Sequence, residues 1–267
     1  VEPAKSQCFA PAGVKYKIPA HLFKMQLNEK LNLVLRDVYL YDIEACHYTI
    51  LNNLGYDMSK INYEDKFERN KQIGKMMRKN PRLTSLLRNK TKSIIDEYIL
   101  KNNVTEDNIV IRQYDGLILT RGLRERNVNE IPLDIRRHFE IFIMSIDRSK
   151  YIARDSKGET SIKGISFRYP QIDMIYERIC RINFSNKSAI FKMLHKIKSE
   201  FLYSNDPKLF GVPLKNGKFN INLKAYGEME ISKQTLKIMD TDDIDKQKYF
   251  DFYITPFTKS IVLEFVR

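Results

Sequence analysis

Val38-Tyr39-Leu40-Tyr41-Asp42-Ile43-Glu44-Ala45-Cys46-His47-Tyr48-Thr49-Ile50-Leu51 puts an acid where a folded chain has no structural need for one. Four residues of strand-forming character run straight into Asp42, and small and aromatic residues then lead to an apolar segment that can continue as a helix. An acid at that joint is placed for work at a sheet edge. Its companion is Asp115, in Val110-Ile111-Arg112-Gln113-Tyr114-Asp115-Gly116-Leu117-Ile118-Leu119-Thr120, where two strand-like runs flank Tyr-Asp-Gly, a good turn sequence. A carboxylate at a strand end and another at a hairpin tip can meet across neighbouring strands.

The 267 residues can bury a real core and exceed the usual size of one domain, so two or three lobes are expected. Lys and Arg number 46 against 33 Asp and Glu, leaving a net charge of +13. That balance, with a pI near 9.5, points to a polyanionic partner, nucleic acid before a membrane surface. No apolar run approaches the roughly 20 residues of a spanning helix, and no signal-peptide pattern opens the chain. Cys8, Cys46 and Cys180 are too scattered for a zinc knuckle and too few for a disulfide framework. An intracellular, cytoplasmic protein with reduced thiols is the expectation.

Residues 1 to about 30 carry Pro3, Pro11, Gly13 and Pro19 and read as an irregular arm. Asn32 to Asp42 reads as a strand and Thr49 to Leu54 as a short helix ended by Gly55. A basic helix follows from Glu64 to Asn80, broken by Pro81, and an amphipathic one from Thr84 to Leu100 with Leu86, Leu87, Ile94, Ile95, Tyr98 and Ile99 inward. Ile135 to Ile146 is an apolar stretch that can close the sheet. Two short strands joined by the Ser156-Lys157-Gly158 turn come next. Gln171 to Arg181 and Lys187 to Tyr203 read as helices, and the last 60 or so residues as short strands and turns.

Two carboxylates held together in a basic protein suit a divalent cation, since Mg²⁺ takes oxygen ligands from one or two acids plus substrate phosphates. Such a site serves phosphoryl transfer on nucleotides, by synthesis or hydrolysis. Several other groups are set aside. Asp240-Thr241-Asp242-Asp243-Ile244-Asp245 reads as an exposed acidic turn. Cys46 and His47, taken as strand neighbours, point to opposite faces and form no nucleophile-base pair. Glu44 is either a third ligand or a salt-bridge partner, and Tyr48 is equally a core residue.

The order of these segments resembles the palm and thumb of family B DNA polymerases over roughly residues 35 to 200. The Asp42-to-Leu51 stretch looks like that family's first motif, DxxSLYPSII. The Lys71-to-Lys79 helix is similar to the second, and Gln113-Tyr114-Asp115-Gly116 resembles the third, YxDTDS. Arg148-Ser149-Lys150-Tyr151 and Lys163-Gly164 look like the KKxY and KG elements. Three departures stand out. His47 occupies the place of the tyrosine that screens the ribose 2′-hydroxyl, Gln113 replaces the first acid of the third motif, and Ser149 stands where the family prefers a base.

The resemblance implies an α+β fold: a palm with an antiparallel sheet (31–60 and 100–164), reduced helical fingers (61–99), and a thumb with the C-terminal region (165–267) after the arm of residues 1–30. It implies a template-dependent polymerase, foremost a DNA-directed DNA polymerase without proofreading. Asp42 and Asp115 would be catalytic and would hold Mg²⁺, or alternatively Mn²⁺, together with Ile43. Lys71 or Lys75, with His47 and Tyr48, would meet the nucleoside triphosphate. Arg148, Lys150, Tyr151, Lys163 and Gly164 would grip primer-template. Other replication proteins, or a portion preceding Val1, are expected partners, and a virus or mobile element is the expected source. The alternatives are an inactive polymerase-like nucleic-acid-binding protein and a two-metal nuclease.

Overall fold

β1 (Val34–Asp42) runs through the middle of a six-stranded antiparallel sheet with β2 (Ile109–Arg112), β3 (Gly116–Leu119), β6 (Asp134–Met144), β7 (Tyr151–Asp155) and β8 (Thr160–Lys163). The order is β2-β3-β1-β6-β7-β8. β4 (Asn127–Val128) and β5 (Ile131–Pro132) form a separate small hairpin. This is a computed structural model, and it describes residues 25–165, 170–203, 212–213, 219–223, 227–230 and 244–266. Two compact units divide the chain: Gln26–Met144 with Ile152–Ser161, and Val1–Met25 with Ser145–Tyr151 and Ile162–Arg267.

In the first unit, strand alternation puts Tyr39 and Tyr41 on one face, opposite Leu119 and Leu117 of β3. Three helices cover that face: α1 (Cys46–Asn53), α2 (Lys66–Lys79) and α3 (Pro81–Lys101). Tyr41, Ile43, Leu117, Leu119 and Leu133 meet Ile50, Leu51, Ile73, Leu83, Leu87, Ile94, Ile95 and Tyr98 in one buried cluster. Each aliphatic side chain so removed from water contributes about 1.5–3 kcal/mol.

The helix boundaries follow from caps. Asp65 accepts hydrogen bonds from the amides of Phe67 (2.9 Å) and Glu68 (3.0 Å), so α2 starts at Lys66. Asn80 accepts from Leu83 N at 3.2 Å, and Pro81 then occupies the first turn of α3, where its missing N–H costs nothing. Pro81 therefore ends one helix by beginning the next, three residues before the start that periodicity suggests. Leu86, expected on the inward face, is exposed.

The arm expected at residues 1–30 falls mostly outside the described residues. Its end is pinned by Asn28, whose Nδ2 donates to Glu106 O (2.7 Å) and Ile109 O (2.8 Å) and whose N donates to Val110 O (2.9 Å). β6 coincides with the apolar stretch from Ile135, but it lies inside the sheet as the neighbour of β1 instead of closing an edge.

The second unit contains α4 (Pro170–Cys180), α5 (Lys187–Tyr203), α6 (Ile244–Tyr253) and α7 (Thr255–Val266). It also holds a small sheet, ordered β11-β10-β9, of β9 (Val212–Pro213), β10 (Phe219–Leu223) and β11 (Gly227–Glu230). Short strands and turns were the expectation for the whole C-terminal stretch, and α6 and α7 correct it. Phe257 and Ile261, one helical turn apart, are fully buried, and Tyr176 donates from its OH to Tyr253 O at 2.8 Å. Cys46 and Cys180 are both buried. Among the described residues no helix is long and apolar enough to cross a membrane.

Candidate active site

Asp42 ends β1 directly opposite Gly116, the first residue of β3, and Asp115 stands one residue earlier at the hairpin tip. The hairpin closes with Gln113 N donating to Gly116 O at 3.0 Å, and Ile43 N donates to Asp115 O at 2.9 Å. The two acids are thus tied to one strand junction, with Ile43 bonded between them. Gly116 is required there: a Cβ on it would lie 2.2 Å from Tyr41 O and 3.3 Å from Asp42 Cα.

The pairing of β1 with β6 shifts register between Leu40 and Tyr41, where β6 carries the additional residue Arg136. Bulges of this kind re-aim a side chain. Arg136 Nε lies 3.6 Å from Asp42 Oδ2, and its Nη2 lies 3.6 Å from Glu44 Oε1. Of the two roles open to Glu44, the salt bridge is therefore present.

Burial, and next the charge of Asp115, push the Asp42 carboxyl up to about 6, against the opposing pull of Arg136 and Lys66. A site that strains to hold a second negative charge suits a divalent cation, and two acids with substrate phosphates are a sufficient ligand set for Mg²⁺. Among the described residues no group of three or more His, Cys, Asp and Glu is arranged to hold a metal ion.

Cys46 and His47 are corrected from strand to helix. Ala45 takes a left-handed conformation (φ 48°) that ends the extended run, and α1 starts at Cys46 with no side-chain cap on its N-terminus. Cys46 is buried with Sγ 3.7 Å from Thr91 Oγ1, and burial pushes its thiol up to about 12, so it is an inert packing residue. His47 Nε2 is 3.3 Å from Tyr114 OH, the rings meeting edge to face at 5.7 Å. Burial lowers the His47 pKa against the charge of Asp115, leaving it neutral at pH 7. Tyr48 packs against the core cluster, its ring edge-on to Tyr63 at 5.0 Å.

On α2, Lys71 is paired with Glu68 at 2.7 Å and lies 5.6 Å from the centre of the Phe67 ring, while Lys75 is exposed. The lysine whose charge reaches Asp42 is Lys66, at the first position of the helix. Sequence reading passed over it; the Asp65 cap is the signal that fixes where α2 begins and hence which lysine stands at its mouth.

In the second unit, Gly164 (φ 83°) packs so closely on the Arg148–Tyr151 segment that a Cβ would lie 2.3 Å from Ser149 O and 2.9 Å from Lys150 Cα. The two sequence elements therefore touch. Lys150 Nζ is 2.9 Å from Asp147 Oδ2 and 3.1 Å from Ser149 Oγ, with the Phe252 ring centre at 5.9 Å. Burial alone would raise the Asp147 pKa, but hydrogen bonds from Ser145, Ser149 and Lys150 outweigh it and hold the carboxyl well below its usual range. Arg148 and Tyr151, expected to grip primer-template, are buried; Lys163 is exposed. The acidic stretch from Asp240 lies largely outside the described residues, and Ile244 begins α6.

No curated protein matches the chain. Among solved structures, the family B DNA polymerase from the hyperthermophilic archaeon Pyrobaculum calidifontis is similar at 9% identity with a TM-score of 0.44. That similarity covers 89% of this chain and 46% of the polymerase, so the chain spans less than half the length of that structure. A family model described as Bacteriophage PBS1 gene 130 protein matches residues 23–246, and the chain belongs to that family.

Proposed function

We propose that this protein is a nucleotidyltransferase that extends a primer 3′ end on a nucleic-acid template, with Asp42 and Asp115 as its catalytic acids. The observation that carries this reading is the junction of β1 and β3, which ties both carboxylates to one point of the sheet. The raised Asp42 pKa supports it, because burial and then the charge of Asp115 push it up.

Asp42 and Asp115, with the backbone at Ile43, would hold Mg²⁺ or Mn²⁺, which when bound supplies charge neutralisation for the attacking and leaving oxygens. The chain's own groups do the rest. Lys66, with Lys75 on the same helix, would balance triphosphate charge, and the side-chain-uncapped N-terminus of α1 would offer amides to phosphate oxygens. His47, held against Tyr114, would flank the sugar. Lys163 would contact the backbone of the primer-template, a contact that carries no sequence information. Deoxynucleotides and a DNA template are the foremost substrates.

A binding-only protein of the same shape is the second reading, favoured by Gln113, which leaves the hairpin with one carboxylate. Primer extension with Mg²⁺ or Mn²⁺, run with deoxy- and ribonucleotides, separates the readings. Extension by the wild type that vanishes in Asp42→Ala and Asp115→Ala, with nucleic-acid affinity retained, supports the polymerase. Binding without incorporation under every metal supports the second reading. Shortening of a labelled strand without nucleotides would replace both with a nuclease.

A further inference from the structure

At the C-terminus of α3 a cavity of about 330 Å³ is lined by Lys101, Asn102, Asn103, Arg121 and Arg124. Three of these residues are cations, two are amides, and no acid lines the space. Its volume falls at the lower end of the ~300–1,000 Å³ typical of ligand clefts. Arg121 lies six residues beyond Asp115, two past the end of β3, a chain distance of up to about 20 Å at ~3.3 Å per residue.

The ordinary explanation for cations here is that they complement the negative end of the helix. The hydrogen bonds leave that explanation with little to do. Tyr98 O accepts from Asn102 N (3.1 Å) and from Asn102 Nδ2 (3.0 Å), Leu100 O from Asn103 N (3.0 Å), and Ile99 O from Val104 N (2.9 Å). Asn103, at φ 50°, provides the left-handed residue that such a terminus uses. Arg121 Nη2 then donates to Asn102 O at 2.9 Å. None of these bonds uses the Lys101 or Arg124 side chain.

The walls are also fixed in place. Asn102 is buried; its Oδ1 accepts from Arg124 N and Glu125 N at 2.9 Å each, and its Nδ2 donates to Glu125 O at 2.8 Å. Leu123 N donates to the buried Tyr41 OH at 2.8 Å. The acid nearest in sequence on α3, Glu97, is 3.3 Å from Lys101 and also accepts from Asn129 Nδ2 at 2.9 Å, so it is divided between two donors.

We propose that this pocket is a second anion site that takes phosphodiester groups of a nucleic-acid strand, separate from the acid pair. A lining of three cations and two amides with no acid matches phosphate oxygens, the hydrogen-bonded Asn102 fixes the backbone that carries Arg124, and the +13 charge of the chain draws the polyanion in. The site does not depend on Asp42 or Asp115 being catalytic.

The test is anisotropy of a fluorescein-labelled oligothymidylate with the full chain over a series of KCl concentrations. It compares the wild type, Lys101→Gln/Arg124→Gln, and Lys60→Gln/Lys157→Gln as a control of equal charge, with thermal melts to confirm folding. The pocket variant is expected to lose roughly fivefold to tenfold in affinity and to reduce the slope of log K against log salt by about 1.4, at ~0.7 for each lost contact on a single strand. The control should stay near wild type. Equal losses in the control, or an unchanged slope in the pocket variant, overturn the proposal. A parallel titration with dTTP identifies the source: if the pocket variant loses only dTTP and keeps oligothymidylate, the strand assignment is overturned in favour of a free nucleotide.

Discussion

Arg136 bulges from β6 at the step opposite Tyr41 and sets its Nε 3.6 Å from Asp42 Oδ2. It acts as an internal counter-ion to a carboxylate that burial and Asp115 push the other way. Arg136→Gln should therefore raise the Asp42 pKa above about 6. Carboxyl ¹³C shifts of labelled aspartate followed through a pH titration measure it; an unchanged or lowered midpoint would mean that the ion pair does not form.

The same shift links Asp42 to stability. Its folded pKa lies above the ordinary 3.8, so the folded state binds the proton more tightly, and the favourable contribution present below about 4 is lost as pH rises through about 6. Asp42→Asn should match wild type near pH 4 and be more stable above pH 6 in the presence of chelator. The expected gain is about 1 kcal/mol, reduced from the full shift because water reaches about a third of the side chain. Added Mg²⁺ should close that gap by stabilising only the wild type. Melts at three pH values decide it.

Gly116→Ala should destabilise the protein by about 1–3 kcal/mol, since the new methyl would press on the Tyr41 carbonyl. Urea unfolding measures the cost. A neutral effect would mean that the hairpin does not approach β1 so closely.

Tyr41→Phe removes the acceptor of Leu123 N without changing the shape of the core. Leaving that buried amide unmatched should cost about 1–3 kcal/mol. Divalent-cation affinity at the neighbouring Asp42 should be retained, separating a scaffold residue from the acids it supports.

Lys66 and Lys71 should part company in nucleotide kinetics. Lys66→Ala should raise the nucleotide KM severalfold because its charge reaches the acid site, whereas Lys71, occupied by Glu68 and Phe67, should tolerate alanine. The reverse ranking would restore Lys71, one of the two lysines that the family resemblance implies for the triphosphate.

What the sequence made legible is local. The strand into Asp42, the turn at Tyr114-Asp115-Gly116, the break at Pro81 and the Gly158 turn all follow from residue types acting on their immediate neighbours. The left-handed Ala45 was hidden, because alanine carries no signal for that conformation, so Cys46 and His47 read as strand. The Arg136 bulge was hidden too: it exists only in the register between β1 and β6, nearly a hundred residues apart. Short strands and turns were expected over the last 60 or so residues, yet Phe257 and Ile261 bury at helical spacing within Thr255–Val266.

Mn²⁺ binding followed by electron paramagnetic resonance tests the central claim most directly, with wild type compared with Asp42→Asn, Asp115→Asn and the double variant. If the acids form one cation site, each single variant loses most of the binding, and the double is scarcely worse than either, since neighbouring ligands act as a unit. Two single losses that simply add, or a single variant that binds like wild type, would contradict it.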